Sequence, residues 1–326
     1  MKTYTVPTGH ILVVKGEHGD LECLSLADYG KEKNVKADFM GITRKIEGVP
    51  HGTLMPLEKK WVITISSQYG CSMWCTFCDA WKVPNHRNAT FIDLVMQVQA
   101  AMSMHPDITH TERLNLHYAR MGEPTMNRDN VLASAYYMAG VFKNIGFHPV
   151  VSTMCPTTDL WPHFMRDWLL LKRNLGGNAG LQLSINTTSE KHRRIMFNEH
   201  ARSLHNISYH FKDITNLVTG RKIALNFALT DAPIDANLLA RLFDPKHFMC
   251  KITPMHATKS CADNKIETAN GYISYHPYAD VEDRLKAAGF DVIVFIPSVE
   301  EDESRITCGN AILSGTLPKT YTVVES

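Results

Sequence analysis

The chain has no run of eighteen apolar residues, and its opening stretch Met1–Val6 (MKTYTV) carries no apolar signal core. A spanning helix needs about 20 apolar residues in succession, so neither a membrane segment nor a secretory leader is expected. Charge of one sign is also lacking: 34 Lys and Arg against 33 Asp and Glu leave a net charge of +1. That balance supplies no broad basic field of the kind that gathers nucleic-acid backbones, so any RNA contact would need a local patch. Low-complexity tracts are absent, which argues against a disordered or linker-dominated chain. What remains is an ordinary globular composition, 44% hydrophobic and 21% charged over 326 residues, enough for one large domain with appendages or two modest ones. A reducing cytoplasm is the expected compartment, and eight cysteines there read as metal ligands or reactive thiols before disulfides.

From Trp61 onward, short apolar runs alternate with helical patterns. The runs are Trp61–Ser66, Leu114–Tyr118, Val150–Met154, Leu181–Ile185, Ile223–Leu229, Cys250–Pro254 and Val292–Ile296, and they read as strands buried on both faces. Between them lie helical stretches at Phe91–Met104, Asp129–Ile145, Leu160–Asn174, Ser189 toward Leu217, Ala236–Phe243 and Ala279–Ala288, with Gly146 and Gly289 placed to end helices. Such alternation predicts consecutive βα units around a parallel sheet. Six to seven strands are too few for a closed eight-fold barrel, so the expected fold is α/β, a partial (β/α)6-type TIM barrel over 59–297. Residues 1–58 predict a small β-rich region, with a hairpin from His10–Val14 and Leu21–Leu26, and 298–326 form a C-terminal segment. The pentapeptide KTYTV occurs at both Lys2–Val6 and Lys319–Val323, which admits a pairing of terminal strands.

The chemistry-bearing motif is Gly70–Cys78 (GCSMWCTFC), where Cys71, Cys75 and Cys78 stand in C-x3-C-x2-C spacing just after the first barrel strand. Sites in parallel βα folds gather at the carboxyl ends of strands. Three such thiolates hold three irons of a [4Fe–4S] cubane and leave the fourth open. An open iron chelates the amino and carboxylate groups of S-adenosylmethionine (SAM) and passes an electron to its sulfonium. Zinc competes only with a fourth ligand, for which His86 is the candidate. Ser152 and Ser184, at later strand ends, are candidates for the carboxylate or ribose hydroxyls of SAM, against the plainer reading that they satisfy local backbone.

These residues resemble the radical SAM superfamily. Gly122, Glu123 and Pro124 (GEP), after Leu114–Tyr118, match the segment that contacts the SAM amino group in that superfamily. Within it, Ser66–Cys78 (SSQYGCSMWCTFC), Arg87–Thr90 (RNAT), Met121–Pro124, Ser152–Thr153, Leu183–Asn186 (LSIN), Cys250–Ile252 and Cys308–Asn310 are similar to the RlmN/Cfr class A methyltransferases of RNA adenine. The resemblance adds Asn186 to the cofactor-binding set. It makes Cys308 the methyl carrier: one SAM methylates its sulfur, and a radical from a second SAM activates that methyl for transfer to an sp2 carbon. It also implies an external electron donor such as flavodoxin or ferredoxin.

The sequence departs from that family in three places. Thr64 stands seven residues ahead of Cys71, where the family has a second cysteine that helps release the covalent adduct; Cys155, Cys23 or Cys261 are the thiols that could replace it. Residues 1–58 lack the pattern of the family's helical accessory domain. The SAM-contacting asparagine after the sixth strand has no clear counterpart in Thr253–Thr258, where His256 or Thr258 stands. The best basic cluster, Lys191–Arg194 (KHRR), suits a solvated helix face or a phosphate contact. The leading expectation is a carbon methyltransferase or methylene-transferring enzyme acting through Cys308 on a nucleobase, nucleotide or other small molecule. The alternatives are an RNA adenine methyltransferase, or an enzyme that turns the adenosyl radical directly on its substrate.

Overall fold

A computed structural model describes residues 1–28, 45–46, 49–50, 54–143, 145–268, 276–297 and 299–325. Its spine is one sheet of eleven strands. In chain order these are β1 (Lys2–Val6), β2 (Gly9–Gly16), β3 (Gly19–Ala27), β4 (Trp61–Ile65), β5 (Leu114–Tyr118) and β6 (Phe147–Thr153). They continue with β7 (Gly180–Ser184), β8 (Ile223–Leu229), β9 (Phe248–Pro254), β10 (Asp291–Val294) and β11 (Thr322–Glu325). Strands β4 to β10 pair in sequence order and all in parallel, as βα repeats require. The run ends at β10 without closing on β4, so the barrel is open.

The longer helices pack their apolar residues against one face of this sheet. In chain order the helices are α1 (Phe91–Ser103), α2 (Arg128–Val141), α3 (Leu160–Asn174), α4 (Glu190–Met196), α5 (Leu204–Lys212), α6 (Ala236–Leu242), α7 (Lys259–Asp263), α8 (His276–Ala287) and α9 (Val299–Glu303). Thr90 caps α1 in a reciprocal capping box with Asp93, which fixes where the helix leaves the cysteine-bearing loop. Against the helices the strands present a continuous apolar face, including Ile63, Leu116, Val151, Leu183, Leu225 and Ile252. Each side chain buried there stabilises the fold by about 1.5–3 kcal/mol.

The opposite face differs from expectation. The strands are not buried on both sides: β8 reads buried–intermediate in strict alternation, with Ala224, Asn226 and Ala228 on the half-exposed side. Register carries that side across the sheet, from Thr64 opposite His117 to Asn226 opposite Lys251. The barrel interior is therefore a polar trench open to solvent. Short apolar runs concealed this, because single polar residues among Val, Ile and Leu mark the alternation weakly.

The hairpin β2–β3 extends the sheet, because β3 pairs antiparallel with β4 through Leu24 opposite Thr64. The two KTYTV copies meet at the far edge, where β1 pairs antiparallel with β11 and Tyr4 stands opposite Val323. Two local expectations are corrected. The stretch from Ser189 toward Leu217 is broken after α4, where Asn198 and Glu199 take left-handed backbone (φ 48° and 63°). Gly146 does not end a helix, since α2 stops at Val141; it is a close approach, where a Cβ would stand 1.8 Å from the Glu112 carbonyl oxygen.

Candidate functional site

Cys71, Cys75 and Cys78 occupy the loop that follows β4. A two-residue antiparallel ladder closes its base, pairing Gln68 with Asn88 and Tyr69 with Arg87. Gly70 enters the loop with φ +72°, and a Cβ there would stand 2.3 Å from the Val83 carbonyl oxygen, so only glycine makes this turn. Around Cys71 and Cys75 lies an apolar shell built from Met73, Met154, Met196, Met255, Phe197 and Phe77. Burial pushes the Cys71 thiol up to about 11 and Cys78 to about 12, and raises Cys75 well above the usual thiol range, with neighbouring thiol charges adding to the effect at Cys75 and Cys78. Three thiolates crowded in an apolar shell call for a bound cation to hold them ionised.

Among the described residues no three His, Cys, Asp or Glu side chains converge on one point where a single ion would sit. A mononuclear zinc site needs thiolate donors about 2.3 Å from one centre, whereas a cubane takes each thiolate to a different iron. His86 Nε2 lies 2.8 Å from the Trp81 carbonyl oxygen, and among the described residues His86 joins no group of three donors placed to hold one ion. The donor set therefore fits a cluster better than zinc.

The segment Ile306–Asn310 places Cys308 beside this loop, exposed to solvent. The Asp79 amide donates to the Gly309 carbonyl at 2.8 Å, and the Cys78 and Cys308 sulfurs lie within electrostatic range of each other. A Cβ on Gly309 would stand 3.4 Å from the Phe77 carbonyl oxygen. The same oxygen accepts from Thr258 Oγ1 at 2.8 Å and from Cys261 Sγ at 3.5 Å. Asp79 ties the elements together: its carboxylate accepts from the amides of Lys259 (3.0 Å) and Ser260 (2.8 Å) and from Ser260 Oγ (2.7 Å). Burial works to raise Asp79, but these donors outweigh it and hold the carboxyl below its ordinary value.

Gly122, Glu123 and Pro124 lie directly after β5. Gly122 takes φ +97°, and a Cβ there would come within 2.7 Å of the Gln68 amide nitrogen. The Glu123 carboxylate turns inward, accepting from the Met154 amide at 2.9 Å and from Thr125 Oγ1 at 2.8 Å. Burial raises it despite those donors. Ser152 and Ser184 are half-buried on the trench side of β6 and β7. Asn186 is buried just beyond β7 with φ +62°, and its Oδ1 accepts from the Ala228 amide at 3.1 Å. The expected residues thus gather at the carboxyl end of the barrel, with the side chains of Glu123 and Asn186 engaged in protein contacts. Thr258 caps α7, and His256 Nδ1 lies 2.8 Å from Asp302 Oδ1. Thr64 faces the trench opposite His117. Of the three other thiols, Cys23 reaches the Gln97 carbonyl at 3.5 Å and Cys155 is fully buried, while Cys261 adjoins the cluster loop.

Several supporting residues escaped sequence reasoning. Glu22 on β3 and Arg120 after β5 form a buried ion pair. Arg120 also donates to the Arg305 carbonyl at 2.9 Å, and Glu22 Oε2 accepts from the Leu313 amide at 3.1 Å, so the pair pins both flanks of the Cys308 segment. The KHRR cluster divides. Arg193 is buried and donates to the carbonyls of Ser184 (2.7 Å), Ile185 (2.8 Å) and Met154 (3.0 Å), locking the ends of β6 and β7. Arg194 is outside, paired with Glu199 at 2.5 Å. The i,i+4 spacing of Glu190 and Arg194 is the charge signal the sequence offers here, and it points to the wrong arginine.

A solved radical SAM methyltransferase from Sphaerobacter thermophilus matches 93% of this chain and 77% of its own, with a TM-score of 0.63 and 18% identity. The chain has the fold of a radical SAM methyltransferase. In sequence it is similar to RNA methyltransferases of the RlmN type. It is 28% identical over 207 residues to "Probable dual-specificity RNA methyltransferase RlmN" of Chlorobium chlorochromatii, covering 61% of this chain and 53% of that protein. It is 27% identical over 194 residues to "Probable RNA methyltransferase sce1580" of Sorangium cellulosum, covering 57% of this chain and 46% of that protein. The chain thus spans about half the length of these curated relatives. No protein-family model matches it. Among the described residues no helix is long and apolar enough to cross a membrane.

Proposed function

We propose that this protein is a radical SAM enzyme that transfers a methyl or methylene group to an sp2 carbon through Cys308. Cys71, Cys75 and Cys78 would hold a [4Fe–4S] cluster, and the backbone of Gly122–Pro124 with Ser152, Ser184 and Asn186 would seat SAM. When bound, that pair supplies reductive SAM cleavage and the hydrogen-atom abstraction that follows, on an electron from an external donor such as flavodoxin or ferredoxin. The observation that carries the reading is the tie between the two loops: the Asp79 amide, next to Cys78, holds the Gly309 carbonyl, next to Cys308. That contact keeps an exposed, mobile-group-bearing sulfur against the cluster loop, as a carrier requires. The apolar shell around Cys71 and Cys75 excludes water from reactive species. Cys261, beside the same carbonyl as the Cys308 segment, is the thiol positioned to replace the one that Thr64 lacks. All eight cysteines are free, which suits a reducing cytoplasm.

RNA is the second reading for the acceptor, because the relatives in sequence are named RNA methyltransferases. The test is anaerobic reconstitution with iron, sulfide and SAM, followed by product analysis. The proposal expects a brown protein yielding both S-adenosylhomocysteine and 5′-deoxyadenosine, with Cys75→Ser losing the second product. A wild-type protein that gains no oxygen-sensitive chromophore would overturn it.

A further inference from the structure

Closed parallel barrels fill their interior with layers of branched apolar side chains. Here the trench side of the sheet carries Asn115, His117, His148, Gln182, Asn226 and Lys251, with register placing Asn115 beside His148 and Asn226 beside Lys251. Two arginines enter the same space from the lower ends of the strands. Arg113 immediately precedes β5 and donates from Nε to Asn115 Oδ1 at 3.1 Å. Arg221 precedes β8, and its Nη1 stands 3.4 Å from where a Cβ on Gly180, a trench-side position, would lie. The Asn178 carbonyl lies 3.4 Å from both Arg221 Nη1 and His148 Nδ1. Higher up, Lys251 lies within electrostatic range of Cys308, its Nζ 5.5 Å from the Phe295 ring centroid.

Among the described residues no carboxylate forms an ion pair with Arg113, Arg221 or Lys251. Asp28, whose charge reaches Arg113 and Lys251, is paired with Lys60. Burial first, and mutual repulsion second, pulls Arg221 down to about 10. Like charges confined in a half-buried trench repel one another, and an anion bound between them relieves that repulsion. Asn226 adds a second signal. Its Nδ2 donates to Gln182 Oε1 at 2.7 Å, while its buried Oδ1 meets no donor. That oxygen asks for a hydroxyl or amino group on the same ligand.

We propose that the trench binds a phosphate-bearing small molecule, its phosphate held by Lys251, Arg221 and Arg113 and a hydroxyl or amino group by Asn226. Two guanidinium forks and an ammonium outnumber what one carboxylate neutralises and suit a dianionic phosphate. The cations lie inside the barrel, where a polynucleotide backbone running over the outer surface does not reach them. That the ligand is the methyl acceptor rests on the function proposed above; that it binds here does not.

The experiment is calorimetric titration of the full chain with inorganic phosphate, with succinate and a short single-stranded oligoribonucleotide as separate arms. Wild type should bind phosphate saturably. Lys251→Gln and Arg221→Gln should each weaken it by about tenfold or more, the worth of one charge-assisted contact. Arg194→Gln, on the outer surface, should leave it unchanged. Absent phosphate binding, wild-type phosphate affinity in both trench variants, or Lys251-dependent binding of succinate or the oligonucleotide in place of phosphate would each overturn the proposal. Should Arg221→Gln fail to give a native circular-dichroism spectrum, Lys251→Gln decides alone. Because the titration needs neither cluster nor SAM, failure of SAM cleavage leaves it standing. Lost phosphate binding in a protein that still cleaves SAM sinks the phosphate site and nothing else.

Discussion

Glu22→Ala removes one partner of the buried pair that anchors the Cys308 segment. Glu22 is fully buried and Arg120 nearly so, 98 residues away in sequence, with Arg120 Nε donating to Glu22 Oε1 at 2.6 Å. Stranding one charge of a buried pair costs about 3–5 kcal/mol. At roughly 2 °C of melting temperature per kcal/mol for a chain of this class, the variant should melt about 6–10 °C lower. The loss is also local, because Glu22 Oε2 is the acceptor for the Leu313 amide. Hydrogen exchange at Leu313 should therefore speed up ahead of the barrel core. Joint replacement, Glu22→Leu with Arg120→Met, should recover most of the melting temperature, since apolar replacement of both partners leaves no stranded charge. It should not recover protection at Leu313. A melting temperature within about 1 °C of wild type in Glu22→Ala, with unchanged exchange at Leu313, would refute the anchoring role.

Gly122→Ala forces a side chain onto left-handed backbone at φ +97° and brings its Cβ to 2.7 Å from the Gln68 amide nitrogen. The strain is about 1–2 kcal/mol before any clash, and equilibrium dialysis should show weakened SAM binding; wild-type stability and SAM affinity would contradict the assignment of this turn. Acid should weaken the fold through the trench imidazoles. Burial, then neighbouring cations (Lys251, Arg221 and Lys60 at His117; Arg113 and Arg221 at His148), lowers His117 to about 3 and His148 to about 4, opposed by Asp28 at His117 and by the Asn178 carbonyl at His148. In the unfolded chain both take a proton near pH 6.5, so the unfolded state binds more protons and stability falls as pH drops from about 6.5 toward 4. His148→Asn should flatten that slope in denaturant titrations across this range, and an unchanged slope would count against it.

The helix-facing half of the barrel was legible because apolar residues repeat there without interruption. Leu114–Tyr118, Ile223–Leu229 and Leu160–Asn174 have the bounds that periodicity predicts. The trench half was not, because Asn226 and Lys251 each stand alone between apolar neighbours and look like interruptions. The position of the cysteine-bearing loop, after the first barrel strand, was legible in the sequence. What positions it was not: Asp79, Arg193 and the Glu22–Arg120 pair act through contacts between residues far apart in sequence, for which a single chain carries no periodic signal. The repeat of KTYTV hinted at paired termini, but it could not indicate that β1 with β11 would extend the barrel sheet itself.

The proposed function rests on Cys308 carrying the methyl group. Its direct test is incubation of the reconstituted protein with SAM bearing a trideuterated methyl, followed by peptide mass analysis without added acceptor. The label should appear on the Cys308 peptide and be absent in Cys308→Ala, while that variant still forms 5′-deoxyadenosine. An unlabelled Cys308 peptide from a protein that cleaves SAM would contradict it.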